Sequence, residues 1–227
     1  MLDRIKRKVF TYLNTEGRGN IKVERFNLLC HDAIQQRQDE LINEVVRYEN
    51  RENQGLAGNM LENLPDRTRE KLLWWLTDSP MSETNGEYDL PLDHAYTDDI
   101  ATNEGYSFEL CKGRKDFNIV KNFATSSYPA CYATGTALKT SPIGLGALTI
   151  YYLRQPLKPK WTYNFIGNNE LFNPSANDFV DADIHPTEED EIVKRILLAC
   201  GITLKEMDIV NVSLQKEQQE FNKDNAS

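Results

Sequence analysis

Residues 147–201 constrain the fold of this chain more strongly than any other stretch. Residues 147–153 are apolar, aromatic or β-branched almost without interruption, which predicts a buried strand. Pro156 and Pro159 lack the backbone N–H that a central strand donates to its neighbours, so the strand should end near Arg154. Beyond that point we expect an extended ribbon that runs over the surface.

The ribbon is expected to lead to an aromatic anchor and then to a helix. Trp161 or Tyr163 should fix the end of the ribbon, because aromatic rings bury a large area. Acidic residues 188–191 follow Pro186, and both features are typical of a helix start, where carboxylates meet the positive end of the helix dipole. Gly201 should end this helix. The residues predicted to face the core are Ile192, Val193, Ile196, Leu197 and Cys200.

The N-terminal part of the chain is predicted to be helical. Residues 2–13 and 22–50 both place apolar side chains three and four positions apart, which lines one face of a helix. A glycine turn at residues 17–19 separates the two helices. Residues 35–40 of the longer helix are polar on every side. This part of the helix should therefore protrude or contact another polar surface.

A third predicted helix, residues 63–76, contains two adjacent tryptophans. Neighbouring residues on a helix diverge by about 100°, so Trp74 and Trp75 cannot both face the core. One of them should lie on an exposed apolar patch, which favours an interface.

Short segments rich in aromatic and β-branched residues follow these helices and include residues 117–120. The predicted fold class is therefore α+β, with a helical N-terminal half, a small antiparallel sheet in the second half, and a C-terminal helix packed on that sheet. The predicted organisation is a helical region at 1–78, a linker at 79–87, a β-rich body with the C-terminal helix at 88–213, and a polar tail at 214–227 that is disordered in the isolated chain.

The composition supports a packed core and limits the classes of partner. The chain has 227 residues, of which 40% are hydrophobic and 10% aromatic. Its 35 acidic and 26 basic residues give a net charge of −9, so a general attraction to nucleic acid or anionic membrane is not expected. We recognise no membrane span and no signal peptide, and expect the protein to stay in the cytoplasm where it is made. The four cysteines lack a metal-ligand spacing and are expected to be reduced thiols.

Motifs of catalytic or cofactor chemistry are not recognisable in the sequence. Residues 14–25 have the outline of a calcium loop, but Arg18 and Arg25 occupy positions where the ion requires ligands. The carboxylates at 188–191 could form a catalytic pair, but a helix start explains them better. Nucleotide-binding glycine loops and a G-x-S-x-G motif are absent. We therefore predict no enzyme activity, no metal and no cofactor.

Two alternatives of a different class stay open. His94 with Asp93 or Asp98 could belong to a phage-encoded hydrolase or metal enzyme, although adjacent residues on an extended segment point to opposite faces and cannot share an ion. Lys158 and Lys160 could contact phosphate in a DNA-contacting channel protein, although exposed lysines are more often solvated.

An ordered set of short motifs spans both ends of the chain. Residues 12–27 place an Asn-containing turn before a Glu-Arg-Phe-Asn helix start. Later come Tyr-Leu-Arg-x-Pro at 152–156, Pro-Lys-Trp-Thr-Tyr at 159–163, Asp-Phe at 178–179, and a Glu-rich helix ending in Gly-Ile at 188–202. This set resembles virion structural proteins of crAss-like and related tailed phages of Bacteroidetes.

The middle of the chain fits the same order at residues 90–93 and 128–132, whereas residues 29–36 are more polar than the family pattern. The resemblance implies a structural subunit of the virion at the head-to-tail junction, which forms a ring in the connector, or neck, between portal and tail.

The partners implied by the resemblance are further copies of the chain in a cyclic ring of expected twelvefold symmetry, the portal, and other connector or tail proteins. Packaged DNA would pass through the ring, and no membrane is implied. The residues expected to make the contacts are Arg154, Pro156, Pro159, Trp161 and Tyr163, together with Trp74 and Trp75.

Overall fold

The computed structural model of the chain confirms the α+β class and divides the chain into two compact units. We call the described residues of 1–40 and 156–200 the terminal unit, and those of 41–155 the central unit. The second helix begins in the terminal unit and ends in the central unit. The described residues are 1–15, 21–52, 66–84, 86–167 and 169–200.

The described residues form five α-helices, one short 3-10 helix and ten strands. The helices are α1 (Leu2–Thr15), α2 (Val23–Glu52), α3 (Asp66–Leu73), α4 (Arg114–Val120) and α5 (Glu189–Ala199), and the 3-10 helix Pro186–Glu188 precedes α5. The strands are β1 (Leu76–Met81), β2 (Glu83–Thr84), β3 (Glu87–Asp89), β4 (His94–Thr102), β5 (Glu109–Leu110), β6 (Ala130–Thr134), β7 (Ala137–Ser141), β8 (Leu148–Arg154), β9 (Tyr163–Ile166) and β10 (Asn169–Phe172).

Helices α1, α2 and α5 build the core of the terminal unit. The apolar residues of α1 recur every three or four positions and are buried, and α5 contacts α1 along its length. Of the core residues predicted for α5, only Cys200 is half-buried. The sequence predicted that this helix packs on the sheet, whereas its contacts in the terminal unit are with α1 and α2. The buried residues are Leu2, Ile5, Val9 and Leu13 of α1, and Ile192, Val193, Ile196 and Leu197 of α5.

The polar stretch of α2 lies against the acidic start of α5. Gln38 is buried, and Arg37 donates a hydrogen bond to Glu188. Glu40 accepts two bonds from the guanidinium of Arg195, at 2.8 and 2.7 Å. The prediction that this stretch contacts another polar surface is therefore confirmed.

Two sheets form the core of the central unit. One has the strand order β1-β8-β4, and the other has the order β2-β3-β7-β6-β5. Strand β8 lies in the middle of the first sheet, as its apolar sequence predicted. Side chains from both sheets meet in one buried cluster, which consists of Met81, Tyr88, Ile100, Phe108, Cys131, Leu138, Leu148, Ile150 and Tyr152.

Three local predictions differ from the structure. Residues 117–120 are helical in α4, so their prediction as a strand was wrong, since periodicity alone cannot distinguish a helix from a strand in so short an apolar run. Strand β1 occupies part of the predicted helix at 63–76 and of the predicted linker at 79–87, and it tolerates Pro80 because it is an edge strand. Strands β5 and β6 pair in parallel, whereas the predicted sheet was antiparallel. The predicted glycine turn at 17–19 and polar tail at 214–227 lie outside the described residues.

Candidate functional site

The ribbon predicted to make contacts begins in the central unit. The N–H of Arg154 donates to the carbonyl of Trp75 at 3.0 Å, and the N–H of Gln155 donates to the carbonyl of Asp93 at 2.6 Å. Trp75 is fully buried, whereas 45% of Trp74 is exposed. The prediction that only one of the two tryptophans faces the core is confirmed.

From residue 156 the ribbon belongs to the terminal unit, where it is fastened on both sides. Pro156 and Pro159 are buried. The N–H of Leu157 donates to the carboxylate of Asp183 at 2.9 Å. Lys160 and Val180 exchange two backbone hydrogen bonds, at 2.9 and 3.2 Å. Pro156 and Pro159 cannot donate backbone hydrogen bonds as a strand would, and the bonds of Leu157, Lys160 and Val180 hold the ribbon instead. The ribbon is therefore an integral part of the terminal unit.

Trp161 ends the ribbon and is the anchor of the terminal unit. Only 4% of its surface is exposed. Its backbone N–H donates to the side-chain oxygen of Asn27, and its indole N–H donates to Asp3, both at 3.0 Å. The ammonium of Lys6 lies 3.0 Å from the centroid of its ring. Helix α1, helix α2 and the ribbon therefore meet at one residue, whose backbone bonds to α2 and whose indole supplies apolar area and one hydrogen bond to α1.

Aromatic side chains of the hairpin β9–β10 continue the packing around Trp161. Tyr163 and Phe172 stack on the indole at centroid distances of 5.7 and 5.6 Å. Burial lowers the pKa of Lys6 below the ordinary lysine value, and the nearby carboxylates of Glu170 and Asp3 offset part of this effect. Glu170 lies 3.6 Å from the Lys6 ammonium. The arrangement holds a cation among aromatic rings.

The structure therefore separates the seven predicted contact residues by exposure. Trp75, Pro156, Pro159 and Trp161 are buried, Arg154 and Tyr163 are half-buried, and Trp74 is exposed. The exposed apolar side chains beside the ribbon are Leu157, Phe165 and Leu171. Their exposure was not predicted: Leu157 lies in the ribbon, which has no regular pairing, and Phe165 and Leu171 lie in the short paired strands β9 and β10, which the sequence did not reveal.

The two strongest charge runs of the terminal unit pair with each other. Arg4 of α1 and Lys8 of α1 both reach Glu189, at 3.0 and 2.9 Å, and Lys8 also reaches Asp190 at 2.6 Å. Glu191 lies 3.0 Å from Arg195. Each carboxylate of the run 188–191 thus has a cationic partner. This network fits a structural seam between helices and leaves no pair of carboxylates that share a proton.

The residues of the alternative His94 site form a small hydrogen-bonded group. The ring nitrogen Nε2 of His94 lies 2.8 Å from the Thr97 hydroxyl, and the His94 ring stacks on Tyr152 at 5.7 Å. Burial lowers the pKa of His94, and the Asp93 carboxylate counteracts it, so the imidazole is neutral near pH 7.

Asp93 does not join this group as a catalytic carboxylate would. Its Oδ1 accepts a bond from the Tyr152 hydroxyl at 2.9 Å, and burial with this bond raises the pKa of Tyr152 to about 12. Among the described residues no bond joins Asp93 to the His94 ring, so an Asp-His-Thr relay is not formed there. Asp98 lies on the same strand as His94.

The lysines of the second alternative differ in their partners. Lys160 pairs with Asp178 at 2.6 Å, and this pair holds the pKa of Asp178 below its usual value. Lys158 is exposed. The pKa of His31 is lowered, first by burial of the His31 ring and then by the positive charge of Lys158. Both lysines are exposed, but only Lys158 has no carboxylate partner among the described residues, and one unpaired cation is a small footprint for a phosphate-binding groove.

One exposed surface was missed in the sequence. Ile119 and Phe123, at α4 and the turn after it, are 64% and 74% exposed, and the basic residues Arg114, Lys115 and Lys121 surround them. These three cations make no ion pair with any residue that the structure describes. Four basic residues within residues 112–121 are the signal that could have revealed the patch.

Comparisons with known proteins add no relative. No protein-family model matches the sequence, and a search of curated proteins finds no significant match. Within the described ranges, no group of three His, Cys, Asp or Glu side chains could hold a metal ion. No helix of the described part is long and apolar enough to span a membrane.

Proposed function

We propose that this chain is a structural subunit of a tailed-phage virion, which forms a multimeric ring in the head-to-tail connector between portal and tail. The observation that carries the proposal is the ordered set of motifs from residue 12 to residue 202, which resembles virion proteins of crAss-like phages. Described motif residues take part in the packing of both units: Tyr152 lies in the core of the central unit, and Trp161 lies in that of the terminal unit. Trp161 of the motif Pro-Lys-Trp-Thr-Tyr, for example, joins two helices and the ribbon.

Surface features of the chain support an assembly role. Exposed apolar side chains lie on the hairpin β9–β10 and around α4, and Phe165 and Phe123 are 67% and 74% exposed. Isolated apolar side chains are common on protein surfaces, but groups of them next to charged residues are typical of protein contacts. In a ring these groups would be covered by the neighbouring copies, the portal or the next connector protein.

The test is assembly with the portal protein of the phage that encodes this chain. The purified protein should be monomeric alone and form rings on the portal, as counted by mass photometry and seen by negative-stain imaging. Monomers that ignore the portal at every concentration and salt would contradict the proposal. A matched portal with its tail-facing surface deleted serves as the control for non-specific association.

Two observations keep the alternatives testable. The contact of His94 with Thr97 favours a hydrolase as the second candidate, and His94→Ala would then abolish activity on model esters without disturbing assembly. We expect no catalytic phenotype.

Exposed Lys158 favours a DNA-contacting channel protein, which should bind duplex DNA with strong salt dependence. We expect no such binding by the isolated protein.

A further inference from the structure

Charges of opposite sign are segregated along the sequence of the central unit. Residues 72–109 contain nine acidic residues and neither Lys nor Arg. Residues 112–154 contain six Lys or Arg residues and one acidic residue. A random mixture of signs would let neighbouring side chains neutralise each other, whereas this segregation keeps unlike charges apart along the chain.

The five-stranded sheet separates the acidic strands β2 and β3 from the basic helix α4. Its strand order β2-β3-β7-β6-β5 begins with acidic β2 and β3 and ends with β5, after which the chain enters α4. Helix α4 stays at this end, since Phe117 packs on Tyr132 of β6 at 5.5 Å. Two acidic side chains also lie at the basic end: Asp116 of α4 is exposed, and Glu109 of β5 accepts a hydrogen bond of 3.1 Å from the Tyr128 hydroxyl.

Cations at the basic end and one carboxylate at the acidic end have no ionic partner among the described residues. Arg114 and Lys115 of α4 are exposed and make no ion pair there. Asp89 at the end of β3 is likewise exposed and makes none, whereas Glu87 is neutralised by Lys139 at 2.8 Å. Glu83 of β2 is half-buried and accepts a bond of 3.4 Å from the Tyr88 hydroxyl.

We infer that the basic α4 end of one copy contacts the acidic β2–β3 end of the next copy, head to tail. This inference rests on the proposed ring and names the surface by which its copies meet. A contact between two different surfaces of the same chain is heterologous, and it closes into a ring when the rotation between copies divides a full turn.

A second copy fits this surface better than nucleic acid does. Ile119 and Phe123 lie among the cations, and apolar side chains are covered by a protein surface but not by a phosphate backbone. The net charge of −9 also repels a polyanion while it supplies acidic surface on every copy.

The experiment reverses the charge of each end separately in the full-length protein. We expect Arg114→Glu/Lys115→Glu to weaken self-association by about tenfold or more, because like charges then face each other. Glu83→Lys/Asp89→Lys should weaken it equally. Association is measured as ring formation on the portal at low and physiological salt, counted by negative-stain imaging and mass photometry. Lys158→Glu, a reversal of an exposed lysine in the terminal unit, is the matched control and should change neither.

Two rescue arms make the result specific to this pair of surfaces. An equimolar mixture of the two double variants should associate again, since every contact in an alternating array joins opposite charges. The quadruple variant should associate with itself but not with the wild-type chain. Thermal unfolding of each variant verifies that the fold is kept.

The outcomes separate this inference from the proposed function. If the wild-type chain forms rings on the portal and both double variants form them equally well, the contact is elsewhere and only this inference is overturned. If Arg114→Glu/Lys115→Glu instead abolishes binding to a duplex DNA fragment while rings persist, the surface binds nucleic acid and not a second copy, and this inference is overturned. If the wild-type chain never associates, with or without portal, the proposed function is overturned together with the contact.

Discussion

Helix α1 and the segment around α4 are equally rich in basic residues, yet their cations are used in different ways. In α1, Arg4 and Lys8 reach carboxylates of α5, and the buried ammonium of Lys6 faces Trp161 and Glu170. Around α4, Arg114 and Lys115 have no ionic partner among the described residues. A run of basic residues in a sequence therefore does not reveal whether its partners are internal or external. The difference predicts large stability effects at the first region and small ones at the second.

The largest effect is expected where the internal region is anchored. Trp161→Ala should lower the free energy of unfolding by about 3–5 kcal/mol, because it removes a buried indole together with the hydrogen bond from the indole N–H to Asp3. Urea unfolding followed by circular dichroism measures the change. Trp74→Ala, at an exposed tryptophan, is the control and should cost about 1 kcal/mol or less. Equal losses of unfolding free energy for Trp161→Ala and Trp74→Ala would contradict the distinction between a buried anchor and a surface residue.

The next effect tests the seam of charges between α2 and α5. Glu188 is 4% exposed and accepts from Arg37, so Glu188→Gln removes the buried carboxylate partner of a largely buried guanidinium and keeps the more exposed partner, Glu40, at 3.3 Å. We expect a loss of about 2–3 kcal/mol. Glu104→Gln, at an exposed carboxylate of the central unit, should change stability by no more than about 0.5 kcal/mol. A Glu188→Gln protein as stable as this control would show that the seam is not structural.

The sequence predicted helices and strands well where the spacing of apolar residues fitted only one of them, and poorly where the spacing fitted both. The stripe of α1 and the apolar run of β8 each admit one interpretation, and both predictions match the structure. Residues 117–120 form a four-residue apolar run that suits a strand or a helix, and the decision depends on packing against β6. The partner of α5 could not be predicted either, because an amphipathic stripe specifies a face of a helix but not what covers it.

The predicted contact residues show the same limit for the candidate site. Trp161 was predicted as an anchor and also as a contact residue, and its burial fits the first role. Aromatic and proline residues of a motif are equally suited to a core and to an interface, so sequence alone could not choose between them. The charges of the surface at α4 were visible in the sequence, but only the fold reveals that Arg114 and Lys115 have no ionic partner among the described residues.

A smaller effect is expected at the start of α1, where Asp181 accepts from the backbone N–H of Leu2 at 2.6 Å and pairs with the Met1 ammonium at 2.7 Å. Burial raises the pKa of Asp181, but these bonds and one from Ala182 outweigh it, and the net pKa is lowered. The carboxylate therefore stabilises the fold above the unfolded pKa of about 3.9, and this contribution is lost as the pH falls through the folded pKa.

Asp181→Asn should thus cost about 1 kcal/mol at pH 7 and almost nothing at the acid end of the transition. Unfolding free energies measured from pH 7 to pH 3 test this, and the two curves should converge as the pH falls. Asp178→Asn is the control, since Asp178 is exposed and pairs only with exposed Lys160. Parallel curves for wild type and Asp181→Asn would contradict the role of the charge.

The smallest effect is expected at α4, where the comparison with α1 is sharpest. Arg114→Gln/Lys115→Gln should leave the free energy of unfolding within about 0.5 kcal/mol of wild type, because neither cation has an ionic partner that would be left alone. Arg4→Gln/Lys8→Gln removes the same number of charges but strands Glu189, which is only 8% exposed, and should cost more. Thermal and urea unfolding of the two double variants, side by side, give the comparison. If the loss of unfolding free energy at α4 were as large as that at α1, the cations of α4 would have ionic partners within the monomer. The surface would then not be available to a second copy.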